Sequence, residues 1–390
     1  MGGRSGHQIP GLPTNSRLAH SLLNQFSVWN LLIGKFEQAV VVIEIEIPSV
    51  VSVLTMDDLF PNLPEELGLE CLMRVSYQWH KHLRAMNKQW REALHSNRFY
   101  QDRKRYSIWE QIIWLIQDNR RVFLYYPLKN SWEILPPVPI ISGFCGCCSK
   151  CICVNHKLII MEGSVAKTKM KVHSVFLYDF RSSKWSRGAD MPTARAHFAC
   201  SASPEGLIYI AGGMDNDEKS EYGAAVYDVE QNKWGMLPDM NQSGGFTGAF
   251  LDNKFWVTKG NLQEVFDVNT RTWTLQENAS QCMNDGKFVA AFGKIYSFMG
   301  REVWEYDTKQ NSEKPVDILP SEVSIVWCVT LWGDKIFVCA SDVNGSASFY
   351  FYSPPRAEAT TATKEGERLV RIEGHPRFNG RFYKTGTVQV

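Results

Sequence analysis

No uninterrupted apolar run in this 390-residue chain reaches the roughly 18 residues that a membrane-spanning helix needs. The best candidate, Ala39 to Leu54, is broken by Glu44, Glu46 and Pro48. A secretory signal is missing as well, because the apolar stretch Leu31 to Ile33 is too short and no small-residue cleavage site follows it. The opening MGGRSG starts like an acylation signal, but Gly6 stands where Ser or Thr is needed. Nor is there an excess of charge: 42 basic against 41 acidic residues give a net +1, so no general attraction to nucleic acid or to an anionic membrane is expected. Phosphate loop, GxSxG and HExxH are all absent, which removes the nucleotide-hydrolysing, esterase and zinc-protease classes that they mark. Cysteine is plentiful, at ten residues, and without a secretion signal these are expected to be free thiols in a reducing compartment, the cytoplasm and/or the nucleus.

What the chain does have is a repeat. An aromatic followed seven residues later by tryptophan recurs as Tyr125–Trp132 (YYPLKNSW), Tyr178–Trp185 (YDFRSSKW), Tyr227–Trp234 (YDVEQNKW) and Phe266–Trp273 (FDVNTRTW). It decays to Tyr306–Glu313 and Tyr352–Ala359, and the six leading aromatics lie 39 to 53 residues apart. Periods of this size mean one small sheet per repeat. The third unit shows four strand signals, at Ala196–Ser201, Leu207–Ile210, Ala224–Val229 and Lys233–Leu237. Gly212 and Gly213 follow the second strand, where a close backbone approach would leave no room for a Cβ. Short strands separated by turns suit a radial array of four-stranded sheets. Six landmarks predict six such blades. The first unit offers only three strands, Ile112–Gln117, Val122–Tyr126 and Trp132–Leu135, while Gly380–Val390 is a surplus alternating strand at the end. Pairing the surplus with the deficit closes the ring and removes its exposed edges.

The first 106 residues follow other rules. Residues 1–55 share neither pattern and are expected to be an atypical, poorly ordered leader. Over 56–106 the spacing turns helical: Leu67, Cys71, Leu72 and Val75 form one stripe, and Leu83, Met86, Trp90, Leu94 and Phe99 a second. Two or three helices are predicted, with too little core to be comfortable alone.

The order LPEELGLECLMRVSY, HLRAMNKQW, FYQDRKR resembles the F-box, although Asn87-Lys88-Gln89-Trp90 departs from the Cys-containing pattern usual before that tryptophan. Residues 107–390 are similar to kelch repeats, on the Gly212-Gly213 pair, the Tyr-Asp pairs, the spaced tryptophans and endings such as WGMLPDM. Together they resemble the kelch F-box proteins, a family expanded in plants, and the GADMP run at Gly188–Pro192 resembles a subgroup that targets phenylalanine ammonia-lyase. The fold implied is an all-β, six-bladed kelch-type propeller preceded by a small all-α F-box domain. The function implied is substrate recognition in an SCF-type cullin-RING ubiquitin ligase, with no catalytic residue and no cofactor. Leu63, Pro64, Leu67, Cys71, Leu72 and Val75 would dock on a Skp-type adaptor, and through it on cullin and a RING subunit. The propeller would hold a target protein, an enzyme of phenylpropanoid metabolism or a transcriptional regulator. Tyr178, Trp185, Gly212, Gly213, Tyr227, Trp234 and Trp273 are the kelch structural residues. A kelch scaffold without ligase function is the alternative.

Some local features stay open at this level. Cys145, Cys147, Cys151 and Cys153 alternate, with Cys148 beside them, and packing on an inner strand is preferred to zinc or redox chemistry. No metal site is assigned. Some kelch-type propellers are copper oxidases, but no tyrosine–histidine–cysteine set can be picked out here. His80 and His82 are expected on a solvated helix face, His156 and His173 in turns of the second blade. Arg195, after MPTA, could grip an acidic or phosphorylated partner or instead brace the blades through backbone carbonyls. The loops Val165–Val172, Met214–Tyr222 and Arg356–Arg368 are long enough to contact a target, the last reading better as a solvated linker.

Overall fold

The computed structural model describes residues 65–86, 88–117, 121–139, 148–165, 167–243, 247–259, 262–277, 287–355, 368–375, 378 and 380–390. The expected leader, Leu63, Pro64, Cys145, Cys147 and most of Arg356–Arg368 lie outside the described residues. The chain divides into two compact units, with the boundary between Trp109 and Glu110.

The first unit has four described helices, α1 (Glu65–Arg74), α2 (Tyr77–Met86), α3 (Lys88–His95) and α4 (Asn97–Arg105), where spacing alone suggested two or three. Short polar breaks account for the difference. Ser96, for example, ends one helix and caps the next, its Oγ accepting from the Phe99 amide at 3.2 Å. Leu83, Trp90, Leu94 and Phe99 are buried together with Leu72, Met73 and Val75 in one small core. His80 corrects its sequence reading: it is fully buried, not on a solvated face. Its neighbour Arg103, 1% exposed, donates to the carbonyls of Met73 (2.6 Å) and Val75 (2.9 Å), closing the carboxyl-terminal end of α1 with a buried cation. Burial and the Arg103 guanidinium hold the His80 imidazole well below its ordinary pKa, so it is neutral.

The second unit is a six-bladed propeller of four-stranded antiparallel sheets. Blade one runs β24 (Phe382–Gln389), β1 (Gln111–Gln117), β2 (Val122–Tyr126), β3 (Ser131–Ile134) from axis to rim. Blade two is β4 (Lys150–Val154), β5 (Lys157–Met161), β6 (Val175–Asp179), β7 (Lys184–Arg187). Blade three is β8 (Ala199–Ala202), β9 (Leu207–Ala211), β10 (Ala224–Asp228), β11 (Lys233–Leu237). Blade four is β12 (Thr247–Leu251), β13 (Lys254–Lys259), β14 (Leu262–Asp267), β15 (Thr272–Glu277). Blade five is β16 (Lys287–Ala291), β17 (Lys294–Met299), β18 (Glu302–Asp307), β19 (Ser312–Ile318). Blade six is β20 (Val323–Trp332), β21 (Lys335–Asp342), β22 (Ala347–Tyr352), β23 (Leu369–Ile372). The inner strands neighbour one another in the order β24, β4, β8, β12, β16, β20 and back to β24, enclosing the axis. β24, the last strand of the chain, pairs with β1 from Gln111↔Gln389 to Gln117↔Phe382, so the first and last segments share one blade.

The seven-residue aromatic spacing has a geometric cause. It places the two residues opposite each other across the outer hairpin, as in Tyr125↔Trp132, Tyr178↔Trp185, Tyr227↔Trp234 and Phe266↔Trp273. Tyr227 and Trp234 stack at 4.7 Å between ring centroids. Each indole then reaches back one blade. Trp185 Nε1 donates to Pro136 O (3.0 Å), Trp234 to Ala189 O (2.9 Å) and Trp273 to Pro238 O (2.8 Å). Trp132 extends the series across the chain's closure by donating to Glu373 O of blade six at 3.0 Å. Blade six, which has no tryptophan at this position, is tied to blade five by Tyr352 Oη and Arg368 on Asp317. Between the paired residues the hairpin turn has its own code. Asp179, Asp228, Asp267 and Asp307 each accept two backbone amides of the turn. Asn130, Asn232 and Asn311, at φ near 50°, accept the hydroxyls of Tyr125, Tyr227 and Tyr306.

Candidate partner-binding face

Two of the loops singled out by length lie on one face and are bound to each other. Val165–Val172 joins β5 to β6, and Met214–Tyr222 joins β9 to β10. The Lys171 amide donates to Asn216 Oδ1 at 2.7 Å, and Lys171 Nζ lies 3.6 Å from Glu218. Within the second loop, Asp215 Oδ1 accepts the amides of Asp217 (2.9 Å) and Lys219 (2.8 Å), a turn built by one carboxylate. Met170 and Tyr222 remain largely exposed, at 59% and 50%. Rigidly tied loops with exposed apolar and aromatic side chains are suited to recognising a protein surface.

Arg195 sits under this face, not on it. It is 1% exposed, and its Nη1 donates to the carbonyls of Gly212 (2.9 Å) and Gly223 (2.7 Å), the two feet of the Met214–Tyr222 loop. Its remaining nitrogens bond Thr193 Oγ1. Of the two roles left open by the sequence, the geometry matches the brace, within blade three, and no guanidinium face is displayed for a partner. Gly213 explains the paired glycines: at φ 101° its missing Cβ would lie 2.7 Å from Ala196 O.

The residues expected from the sequence to dock on an adaptor fall in the helical unit. Leu67 lies on α1, and Cys71, Leu72 and Val75 are buried, the last two in the core shared with Trp90 and Leu94. In this unit Leu72 and Val75 hold helices together. Leu63 and Pro64 lie outside the described residues.

Among the described residues the cysteines bring no metal set together. All seven described cysteines are free, and no group of three metal-ligating side chains occurs among the described residues. Cys151 and Cys153 share a face of the inner strand β4, whereas Cys148 precedes the strand, its Sγ 3.5 Å from His197 Nε2. Burial pushes the Cys151 and Cys200 thiols up to about 12, so both are protonated thiols at neutral pH. Among the described residues no helix is long and apolar enough to cross a membrane.

Comparison with known proteins agrees with this architecture. A Kelch motif model matches residues 195–241, the unit that carries Arg195, the double glycine, Tyr227 and Trp234. The chain is similar to the Arabidopsis thaliana F-box/kelch-repeat protein At1g15670, at 28% identity over 83% of this chain and 97% of that one. It is also similar to F-box/kelch-repeat protein At2g44130 of the same plant, at 26% identity over 57% of this chain and 66% of that one. F-box/kelch-repeat protein SKIP20, again from Arabidopsis, matches at 26% over 66% of this chain and 77% of its own length. Among solved structures, the one titled "Structure of YjhT" superposes with a TM-score of 0.50 over 68% of this chain and 95% of its own, at 10% identity, a likeness of fold alone. Fold and repeat thus define a six-bladed kelch-type propeller. These relatives make the chain similar to the kelch-repeat F-box proteins of plants.

Proposed function

We propose that this chain is the substrate-recognition subunit of an SCF-type cullin-RING ubiquitin ligase. One observation carries the reading: the similarity to a plant F-box/kelch-repeat protein runs through 97% of that relative's length, so it takes in the helical segment as well as the propeller. Leu63, Pro64, Leu67, Cys71, Leu72 and Val75 dock on a Skp-type adaptor, and through it on cullin and a RING subunit. Leu72 and Val75 also pack in the core of the helical unit. The tied loops of the propeller hold a target protein, and ubiquitin transfer is promoted by proximity, without a bond-making residue in this chain. The work belongs to the cytoplasm or nucleus. A target in phenylpropanoid metabolism rests on the GADMP-type sequence resemblance and is the first class to try.

The test is capture of purified Skp adaptor by the full chain, beside a Leu63→Ala/Pro64→Ala variant with an unchanged melting curve. Binding by the parent that the variant loses supports the reading. Absence of binding in both forms makes the helical unit something other than an adaptor-docking module, and the chain a kelch scaffold.

A further inference from the structure

A cavity of about 370 Å³ lies between blades five and six, lined by residues of β17, β18 and β19 and by Pro354 and Pro355, which follow β22. It gathers at the β16–β17 turn, the strand end opposite to the one that carries the tied loops in blades two and three. Strand pairing lines up its polar floor. Tyr296 of β17 stands opposite Glu305 of β18, which stands opposite Lys314 of β19, and Lys294 shares a face of β17 with Tyr296. Glu305 is 5% exposed. Its Oε2 accepts from Tyr296 Oη at 3.0 Å and its Oε1 from Lys294 Nζ at 2.5 Å, while Lys314 Nζ lies 3.5 Å from Oε1. Burial alone would raise this carboxyl, but the bonds from Lys294 and Tyr296 hold it below its ordinary pKa, so it is charged at neutral pH. One carboxylate thus serves two ammonium groups, and this set keeps a positive charge in excess.

The walls are apolar. Val316, Pro354 and Pro355 supply part of them, and Phe292 supplies the rest, 48% exposed and edge-on to Tyr296 at 6.3 Å between centroids. Phe292 is a poor choice for its backbone. It is the first residue of a two-residue turn between Ala291 and Lys294, at φ 54°, a left-handed conformation that suits glycine or asparagine and strains a bulky side chain. The corresponding position is Asp252 in blade four and Asn155 in blade two. A half-exposed aromatic kept at a strained position beside a cavity is better explained by a ligand than by folding. Flat apolar walls suit an aromatic ring. The Lys314 side chain, 67% exposed, retains donors for an anionic group, since an ammonium carries three.

We propose that this inter-blade cavity binds a small aromatic carboxylate. The ring packs against Phe292, Pro354 and Pro355, and the carboxylate is held by Lys314 and Lys294. The site is separate from the tied loops and independent of adaptor docking.

The probe is 2-naphthoate, titrated calorimetrically into the full chain at pH 7. Two comparisons accompany it: 2-naphthalenemethanol, the ring without the charge, and hexanoate, the charge without the ring. One 2-naphthoate should bind per chain with saturation, and each comparison compound about tenfold more weakly or worse. Phe292→Asn installs a residue suited to the left-handed turn, so the melting temperature should hold or rise while 2-naphthoate affinity falls about tenfold. Lys314→Gln, at an exposed side chain, should bring 2-naphthoate down toward the alcohol and leave the alcohol unchanged. Lys233→Gln, on the outer strand of blade three, should alter neither. Equal 2-naphthoate affinity in the parent, Phe292→Asn and Lys314→Gln overturns the proposal. So do heats that never saturate, or an alcohol or hexanoate that binds as tightly as 2-naphthoate.

Discussion

Replacing Arg195 by methionine would keep most of its buried bulk and strip the Gly212 and Gly223 carbonyls of their donor. Losing charge-assisted bonds to buried carbonyls costs about 2–3 kcal/mol, and the Met214–Tyr222 loop should loosen with it. Denaturant unfolding measures the first effect and amide exchange across residues 214–222 the second; an unaltered loop would contradict the brace. Lys150 makes a pH-dependent prediction. Its amine ionises near 7 in the folded chain and at 10.5 when unfolded, so between those values the unfolded chain holds more protons and stability rises with pH. Above 9 the raised thiols of Cys151 and Cys200 act in the opposite sense, because they ionise first in the unfolded chain. The clean window is therefore pH 7 to 9. There Lys150→Met should flatten the rise by at most about 1.4 kcal/mol per pH unit, and parallel slopes for parent and variant would refute it. At this scale the sequence was only partly legible. Arg195 and His80 carried the right chemistry in a readable place, but whether each faces solvent is decided by chain segments far away in sequence: Gly223 for one and Arg103 for the other.

The outer hairpin is the element that organises the propeller. Aspartate builds its turn, asparagine takes the left-handed position and the tyrosine hydroxyl, and tryptophan staples it to the blade before. Trp234→Phe keeps an aromatic opposite Tyr227 and removes the bond to Ala189 O, so a loss of about 1 kcal/mol is expected by equilibrium unfolding. A loss above about 3 kcal/mol would mean that ring packing, not the indole bond, is what matters. The aromatic spacing was readable because hairpin register converts a fixed sequence interval into a direct cross-strand contact. The asparagine signal was equally present, as Asn130, Asn232 and Asn311 five residues after Tyr125, Tyr227 and Tyr306, and passed unread because it repeats in only three units. The inter-blade bonds were not legible at all, since their acceptors are backbone carbonyls that no side-chain pattern marks.

At the scale of the whole molecule, closure joins residues some 270 positions apart, with Thr385 Oγ1 donating to Trp114 O at 2.8 Å. A Cβ on Gly386 would collide with the Trp114 indole, whose Cε2 would lie 2.7 Å away. Gly386→Val should therefore lower the melting temperature sharply, as should deletion of Gly380–Val390, while an unchanged melt in either would refute closure by β24. The count of six was legible in the six aromatic landmarks, and a unit short of one strand beside a strand without a unit showed how the ring closes. Partner choice was not written in that arithmetic, because it depends on loop tips that the repeat does not constrain. The central claim is that a ligase-docking module and a target-holding ring share this chain. Light scattering of the full chain mixed with Skp adaptor, cullin and RING subunit tests it most directly. The account predicts one particle containing a single copy of each, lost in the Leu63→Ala/Pro64→Ala variant. A chain that elutes apart from the other three subunits would contradict it.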